Sequence, residues 1–261
     1  MITTYPIYQV DAFTNRLFGG NPAAVCPLES WLPAQTMQQL AFENNLSETA
    51  FFVKEGDQYH IRWFTPEFEI DLCGHATLAS SYVIFNELQH NSDHIRFTCK
   101  SGILDVTRTG DLIELNFPAR MPQPATAPDA LLQGFNIAPK AVLKSRDYFL
   151  VYETEEQVKA IVPNFTLLNQ LDVIGIIVTA PGNSVDFVSR FFVPNSVIGE
   201  DPVTGSAHST LIPYWSEQLG KQQLSAWQVS PRGGQLQCSL QGNRVTMAGY
   251  GVLYMKGSYF L

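Results

Sequence analysis

Residues 199–207 read GEDPVTGSA, and their interest lies in a second version of the same pattern earlier in the chain. RFFVP (residues 190–194) precedes GEDPVTGSA, and small residues suited to a tightly packed helix follow it, Ser206-Ala207-His208-Ser209-Thr210-Leu211. In the first half, RWFTP (residues 62–66) leads through EFEID into CGHATLASSY (residues 73–82). Arg, two aromatics, one residue and Pro open both copies, and Cys73-Gly74-His75-Ala76 then matches Thr204-Gly205-Ser206-Ala207. Arg62 and Arg190 are 128 positions apart and Gly74 and Gly205 131, so the loops differ by only three residues. A strand–loop–helix unit duplicated once per half accounts for this spacing. Each copy ends in a helix N-terminus, where first-turn N–H groups lack intrahelical acceptors and the dipole is positive. Two such ends facing one pocket would suit a small anion.

Working outward, 261 residues suffice for two halves that each bury a core. Hydrophobic residues at 45% and charged residues at 15% fit a globular chain and argue against disorder. A net charge of −8 disfavours nucleic acid or an anionic membrane as partner. No apolar run approaches the length of a spanning helix, and the N-terminus reads as a strand. Cys26, Cys73, Cys99 and Cys238 lie far apart, consistent with free thiols and a cytoplasmic location.

The elements follow from periodicity and breakers. Residues 5–13 predict a first strand, and residues 18–25 (FGGNPAAV) a glycine turn whose backbone amides either line a pocket or pack tightly. Residues 33–45 have helical spacing and 49–53 read as a buried strand. After the strand at 59–64 comes the first repeat, whose helix from His75 carries small or apolar residues around much of its circumference, as an enclosed helix would. Strands at 95–99, 102–108 and 112–117 complete the first half. Residues 118–128 hold four prolines and mark the boundary. The domains are thus 1–117 and 118–261, with the last strand free to pack back on the first half. The second half predicts a helix at 129–135, strands at 141–144 and 148–152, a helix from Thr154, and strands at 173–180 and 185–194. Pro213 should kink or end its inner helix.

Several residues stand out chemically. Glu48 is separated from an apolar run only by Thr49; a carboxylate there either caps a backbone or has a raised pKa and moves protons. His75 at a helix start favours a neutral imidazole. Asp201 either caps the second helix or holds a polar group. Gly205 and Ser206 offer an amide and a hydroxyl to a substrate oxygen. Arg232-Gly233-Gly234 either binds a carboxylate or closes a hairpin. Cys73 is a candidate nucleophile or thiolate base. Neither HExxH nor paired CxxC spacing appears, so no metal is expected, and no P-loop, GxGxxG or GxSxG pattern appears either.

With VDAFT (10–14), GGNPAAV (19–25), MQQLAFENNLSETAFF (37–52), RWFTP…CGHATLA (62–79), EDPVTGSA (200–207) and SPRGG (230–234), the chain resembles the PhzF family of phenazine-biosynthesis-like isomerases over nearly its whole length. The RGG form looks closer to the branch containing the vertebrate phenazine-biosynthesis-like-domain proteins. The resemblance implies an α+β, diaminopimelate epimerase-like fold of two similar halves, each a mixed barrel-like sheet around a central helix. It implies Glu48 as the acid/base, with His75 and Asp201 around the reacting group. Asn21, Cys73, Gly74, Gly205, Ser206, Arg232 and Gly233 would contribute to binding. It further implies no cofactor, a homodimer, and a small anionic, carboxylate-bearing metabolite as substrate. The related epimerases oppose two cysteines; here Cys73 matches the first place and residues 202–205 contain none. One-carboxylate proton transfer is the favoured chemistry. Its competitors are a Cys73-dependent epimerase or hydrolase, and a binding protein of the same fold without turnover.

Overall fold

The computed structural model describes residues 2–261 and divides the chain into two compact units. One is the chain up to Asn116 together with Ala248–Leu261; the other is Phe117–Met247.

The first unit contains β1 (Thr4–Ala12), β2 (Asn21–Leu28), α1 (Ala34–Asn44), β3 (Glu48–Glu55), β4 (Gln58–Phe64) and the two-residue β5 (Glu69–Ile70). Then come α2 (Gly74–Asn86), β6 (His94–Cys99), β7 (Gly102–Thr109) and β8 (Leu112–Pro118). The C-terminal strand Gly251–Phe260 pairs with β1, which pairs with β2. Both pairings are antiparallel, whereas β2 with β3 and β4 with β6 are parallel. Parallel neighbours need a crossover. Helix α1 supplies one and α2 the other, and they take opposite faces of the sheet.

Alternation along the strands decides which residues meet which helix. Cys26, Leu28, Phe51, Val53 and Phe64 form a core with Met37 and Ala41 of α1. Helix α2 is buried at every position except Tyr82 and Asn86, as a helix enclosed by sheet should be. Its hydroxyls do not go unsatisfied: Thr77, Ser80 and Ser81 donate to the carbonyls of Cys73, Ala76 and Thr77 one turn back.

The second unit contains β9 (Gln123–Pro124), α3 (Asp129–Gln133), β10 (Ala141–Lys144), β11 (Tyr148–Val151), α4 (Glu155–Ala160) and α5 (Phe165–Leu168). It continues with β12 (Ile176–Pro181), β13 (Phe187–Val193), β14 (Gly199–Asp201), α6 (Gly205–Leu219), β15 (Gln223–Gln228), β16 (Gly234–Gln241) and β17 (Arg244–Gly249). Its pairings repeat the first unit's: β11 with β12 parallel, β12 with β13 antiparallel, β13 with β15 parallel and β15 with β16 antiparallel. The short helices pack Leu131, Val158, Ile161 and Leu168 against Leu150, Val178 and Phe192.

The two conspicuous arginines are structural in both copies. Arg62 grips Glu69 of β5 through Nε and Nη2 at 2.8 and 2.9 Å, and Arg190 grips Glu200 of β14 at 2.7 and 2.8 Å. Each bidentate clamp ties the short strand, and hence the loop leading to the inner helix, to its neighbour.

Three sequence expectations need correction. Residues 21–25 are not loop: Asn21–Leu28 is a strand buried between β1 and β3, because pairing on both sides outweighs the turn character of its Pro and Ala residues. Strand β12 starts at Ile176, later than the expected residue 173. Pro213 does not end α6, which runs on to Leu219. A proline cannot donate to the carbonyl four residues back, here that of Ser209. The backbone N–H of Arg120 donates to that carbonyl instead, at 2.8 Å, so no acceptor is stranded.

Candidate active site

In the first unit three elements bring four polar side chains together. Gly20 has φ +61°, and a Cβ there would lie 2.1 Å from the Ala12 carbonyl oxygen. Only glycine lets the chain turn back so tightly that Asn21 opens β2. Parallel pairing then sets Ala23 beside Glu48, the first residue of β3. Cys73 is the extended residue preceding α2, Gly74 is its first residue and His75 its second.

His75 is the hub. Its Nε2 lies 3.1 Å from Oε2 of Glu48, and its Nδ1 lies 3.1 Å from Nδ2 of Asn21 and 3.5 Å from Sγ of Cys73. The Glu48 contact has ion-pair distance without full hydrogen-bond alignment, a common state for catalytic contacts in a ligand-free site. Asn21 is wholly buried, His75 nearly so, and the Glu48 side chain is 14% exposed. Burial pulls the imidazole down to about 3, so His75 is neutral across the physiological range. The sequence attributed that neutrality to the helix terminus; desolvation is the larger cause.

Glu48, Cys73 and His75 place one donor atom each within 4.8 Å of one another, a metal-like cluster. Its orientation does not suit one ion. The carboxylate faces Nε2 and the thiol faces Nδ1, and the lone pairs of these two ring nitrogens diverge.

In the second unit, Asp201 ends β14 and its Oδ2 accepts a hydrogen bond from the hydroxyl of Thr204, the residue preceding α6. Gln228, fully buried, holds this loop. Its Oε1 accepts from the Thr204 N–H at 2.8 Å, and its Nε2 donates to the Asp201 carbonyl at 2.8 Å and the Thr204 hydroxyl at 3.2 Å. Ser230 donates to the Pro202 carbonyl at 2.8 Å and accepts from the Gly233 N–H at 3.1 Å. Arg232 and Gly233 lie in the turn between β15 and β16, where Gly233 has φ +66°. The SPRGG segment therefore buttresses the EDPVTGSA loop.

The Ser206 hydroxyl accepts from Nη2 of Arg146 at 3.1 Å, and Arg146 is in turn bonded to the buried carboxylate of Asp147 at 2.8 Å. The N-cap residues of the inner helices, Cys73 and Thr204, make no side-chain cap hydrogen bond, whereas the surface helix α4 has a full capping box from Thr154 and Gln157.

Sequence reasoning passed over Gln228, Arg146 and Asp147. Arg146-Asp147 had a usable signal, charges directly ahead of the apolar run 148–152, the same signal that singled out Glu48. Gln228 had none beyond being polar within a strand-like stretch.

The fold has known counterparts. A hydroxyproline epimerase from Agrobacterium vitis, only 10% identical, superposes with a TM-score of 0.67 over 99% of this chain and 93% of its own. It defines the fold class: α+β, with two similar halves of the epimerase kind. The sequence matches the PhzC-PhzF family of phenazine biosynthesis-like proteins over residues 10–257. An uncharacterized isomerase of Pseudomonas aeruginosa is 49% identical, covering 98% of both chains. The crystal structure of a PhzF-family phenazine biosynthesis protein from Enterococcus faecalis, 50% identical, superposes with a TM-score of 0.96 over 99% of this chain and all of the other. The chain belongs to the PhzF family of phenazine biosynthesis-like proteins.

Proposed function

We propose that this PhzF-family isomerase moves a proton within a small carboxylate-bearing metabolite, using Glu48 as acid and base and no cofactor. The observation carrying this reading is the setting of Glu48: a mostly buried carboxylate touching a buried, neutral imidazole. Its Oε2 is fully buried against His75. Glu48 takes a proton from a carbon beside an unsaturated or carbonyl system and gives one to another carbon. The first turn of α2 contains no acidic residue and offers its N–H groups and dipole to the developing negative charge. Positioned acid–base transfer of this kind supplies about 10² to 10⁴-fold, and exclusion of water and orientation supply the rest. Asp201, Gly205, Ser206, Arg232 and Gly233 are proposed as groups that bind the substrate's polar substituents.

The test is exchange of substrate-carbon hydrogen with deuterated water over a panel of small carboxylates. Glu48→Gln keeps the side chain's shape and removes its proton-accepting power, so exchange should fall on the order of 10²-fold or more while binding persists. Undiminished exchange in that variant would refute the assignment.

The contact between Cys73 and His75 supports a second reading, thiol catalysis. That reading requires stoichiometric inactivation on alkylating Cys73. Full activity in Cys73→Ser would dismiss it.

A further inference from the structure

We infer that Asn21 is a positioning residue that fixes the tautomer of His75, so that the ring presents its Nε2–H to Glu48. The catalytic consequence, and the ionised Glu48 used in the argument, rest on the proton-transfer reading above; the tautomer is measured independently of it.

A neutral imidazole has one N–H and one bare nitrogen, and whichever donor or acceptor faces the ring decides which is which. The two sides of His75 agree. An amide nitrogen can only donate, and Nδ2 of Asn21 lies 3.1 Å from Nδ1. The Cys73 thiol, 3.5 Å from the same nitrogen, also has a hydrogen to give. On the other side a carboxylate can only accept, and Oε2 of Glu48 lies 3.1 Å from Nε2. With the Asn21 amide in this orientation and Glu48 ionised, both sides favour Nδ1 bare and Nε2 protonated. Burial reinforces this by keeping a second proton off the ring.

The fold maintains the arrangement at some cost. Asn21 is fully buried, and its place depends on Gly20, whose φ of +61° and contact with Ala12 exclude any side chain. A buried polar residue held in this way needs partners that satisfy it, and His75 is the one that touches chemistry.

The proton balance is simple. Glu48 takes the substrate's proton and becomes neutral, while its Oε2 stays against the Nε2–H of His75. His75 neither gains nor loses a proton. Glu48 then gives a proton to the second carbon, and exchange of its carboxyl proton with solvent before that step is what brings solvent hydrogen into the substrate. Were the tautomer reversed, bare Nε2 would face Glu48, and contact would require a protonated carboxyl. That acid could not serve as the base.

The test is a two-bond ¹H–¹⁵N correlation spectrum of the wild-type protein labelled at histidine, with His75 assigned by comparison with His75→Gln. The expected result is protonated Nε2 and bare Nδ1, without titration between about pH 4 and pH 9. A protonated Nδ1 in wild type would overturn the inference, and this readout needs no substrate. Asn21→Asp supplies the converse. A carboxylate at that position demands a proton on Nδ1, so the spectrum should change to Nδ1–H or to the doubly protonated ring, with kcat falling on the order of 10²-fold. Asn21→Ser, whose hydroxyl can donate, should keep the wild-type tautomer and recover part of kcat. An unchanged tautomer in a folded Asn21→Asp protein would also overturn the inference. If instead the tautomer is as stated and Glu48→Gln retains full exchange, the proton-transfer reading fails and the tautomer assignment stands.

Discussion

The two inner helices start from nearly the same backbone and serve different chemistry. Cys73 and Thr204 precede them in extended conformation, Gly74 and Gly205 open them, and His75 and Ser206 stand second. One turn further on, Thr77 and His208 occupy matching positions and make the same bond, from the side chain to the carbonyl of Cys73 or Thr204. In each unit a residue at or just ahead of the neighbouring strand reaches the second helical side chain: Asn21 to His75, and Arg146 to Ser206. The difference lies at the opening of the next strand. Arg62 pairs with Phe51 and Arg190 with Val178, so Glu48, three residues before Phe51, corresponds to Gly175. A Cβ at Gly175 would lie 2.0 Å from the ring of Phe191. The second unit has no space for a carboxylate where the first carries one. Duplicating a scaffold thus does not duplicate a site, and a single aromatic ring is enough to make the pair unequal.

Restoring the symmetry is the severest way to challenge this comparison. Gly175→Glu should destabilise the protein by about 3 kcal/mol or more, since the new side chain must displace the Phe191 ring and bury a charge. Gly175→Ala should cost less, about 1 to 3 kcal/mol. Urea midpoints measure both, and near-neutral values would mean that Phe191 moves aside and the second unit could have held a base.

The arginine clamps sharpen the comparison at intermediate size. Arg190→Ala should cost more than Arg62→Ala, both in the range of about 1 to 3 kcal/mol. Besides Glu200, Arg190 donates to the carbonyls of Val158, Lys159 and Ile161 at the C-terminal end of α4, whereas Arg62 lies over the rings of Trp31 and Phe64. Equal losses would mean that the carbonyl contacts count for little. The Arg62 clamp should also depend on acid. Its hydrogen bonds, assisted by Lys100, hold Glu69 at about 2, below its ordinary 4.5. A depressed carboxylate stabilises the fold above its unfolded value, and that contribution disappears as pH falls through the folded one. The stability gap between wild type and Arg62→Ala should therefore be full above pH 4.5 and shrink toward pH 2. A gap independent of pH across that window would show that the stacking, rather than the ion pair, matters.

Pro213 gives the smallest effect. Helix α2 has no proline to match it, yet α6 continues because Arg120 occupies the Ser209 carbonyl. Pro213→Ala should change stability by no more than about 1 kcal/mol, since the added N–H meets an acceptor already in use. A large gain would show that the helix is strained at that point.

Much of this was legible in the residues. The repeat announced two strand–loop–helix units, and the small residues of α2 announced a helix enclosed by sheet, because only short side chains permit close approach on every side. Glu48 and His75 were each visible as polar residues where apolar ones were due. What escaped was whatever depends on pairing between distant segments. Strand β2 was hidden by its prolines and alanines, since its stability comes from two neighbours rather than from its own propensity. Gln228 and Arg146 were hidden because a clamp is defined by what it grips, 24 and 60 residues away.

The amino-acid order by itself determined the duplication, the acidic character and the identity of the reactive groups, since these reside in local spacing and side-chain chemistry. Tertiary structure decided their states. It buried His75 and so kept it neutral, set Asn21 against one ring nitrogen and Glu48 against the other, and filled the place opposite Gly175 with a phenyl ring. Proton affinity and tautomer depend on the atoms within a few ångströms of a group, and folding alone brings those atoms together.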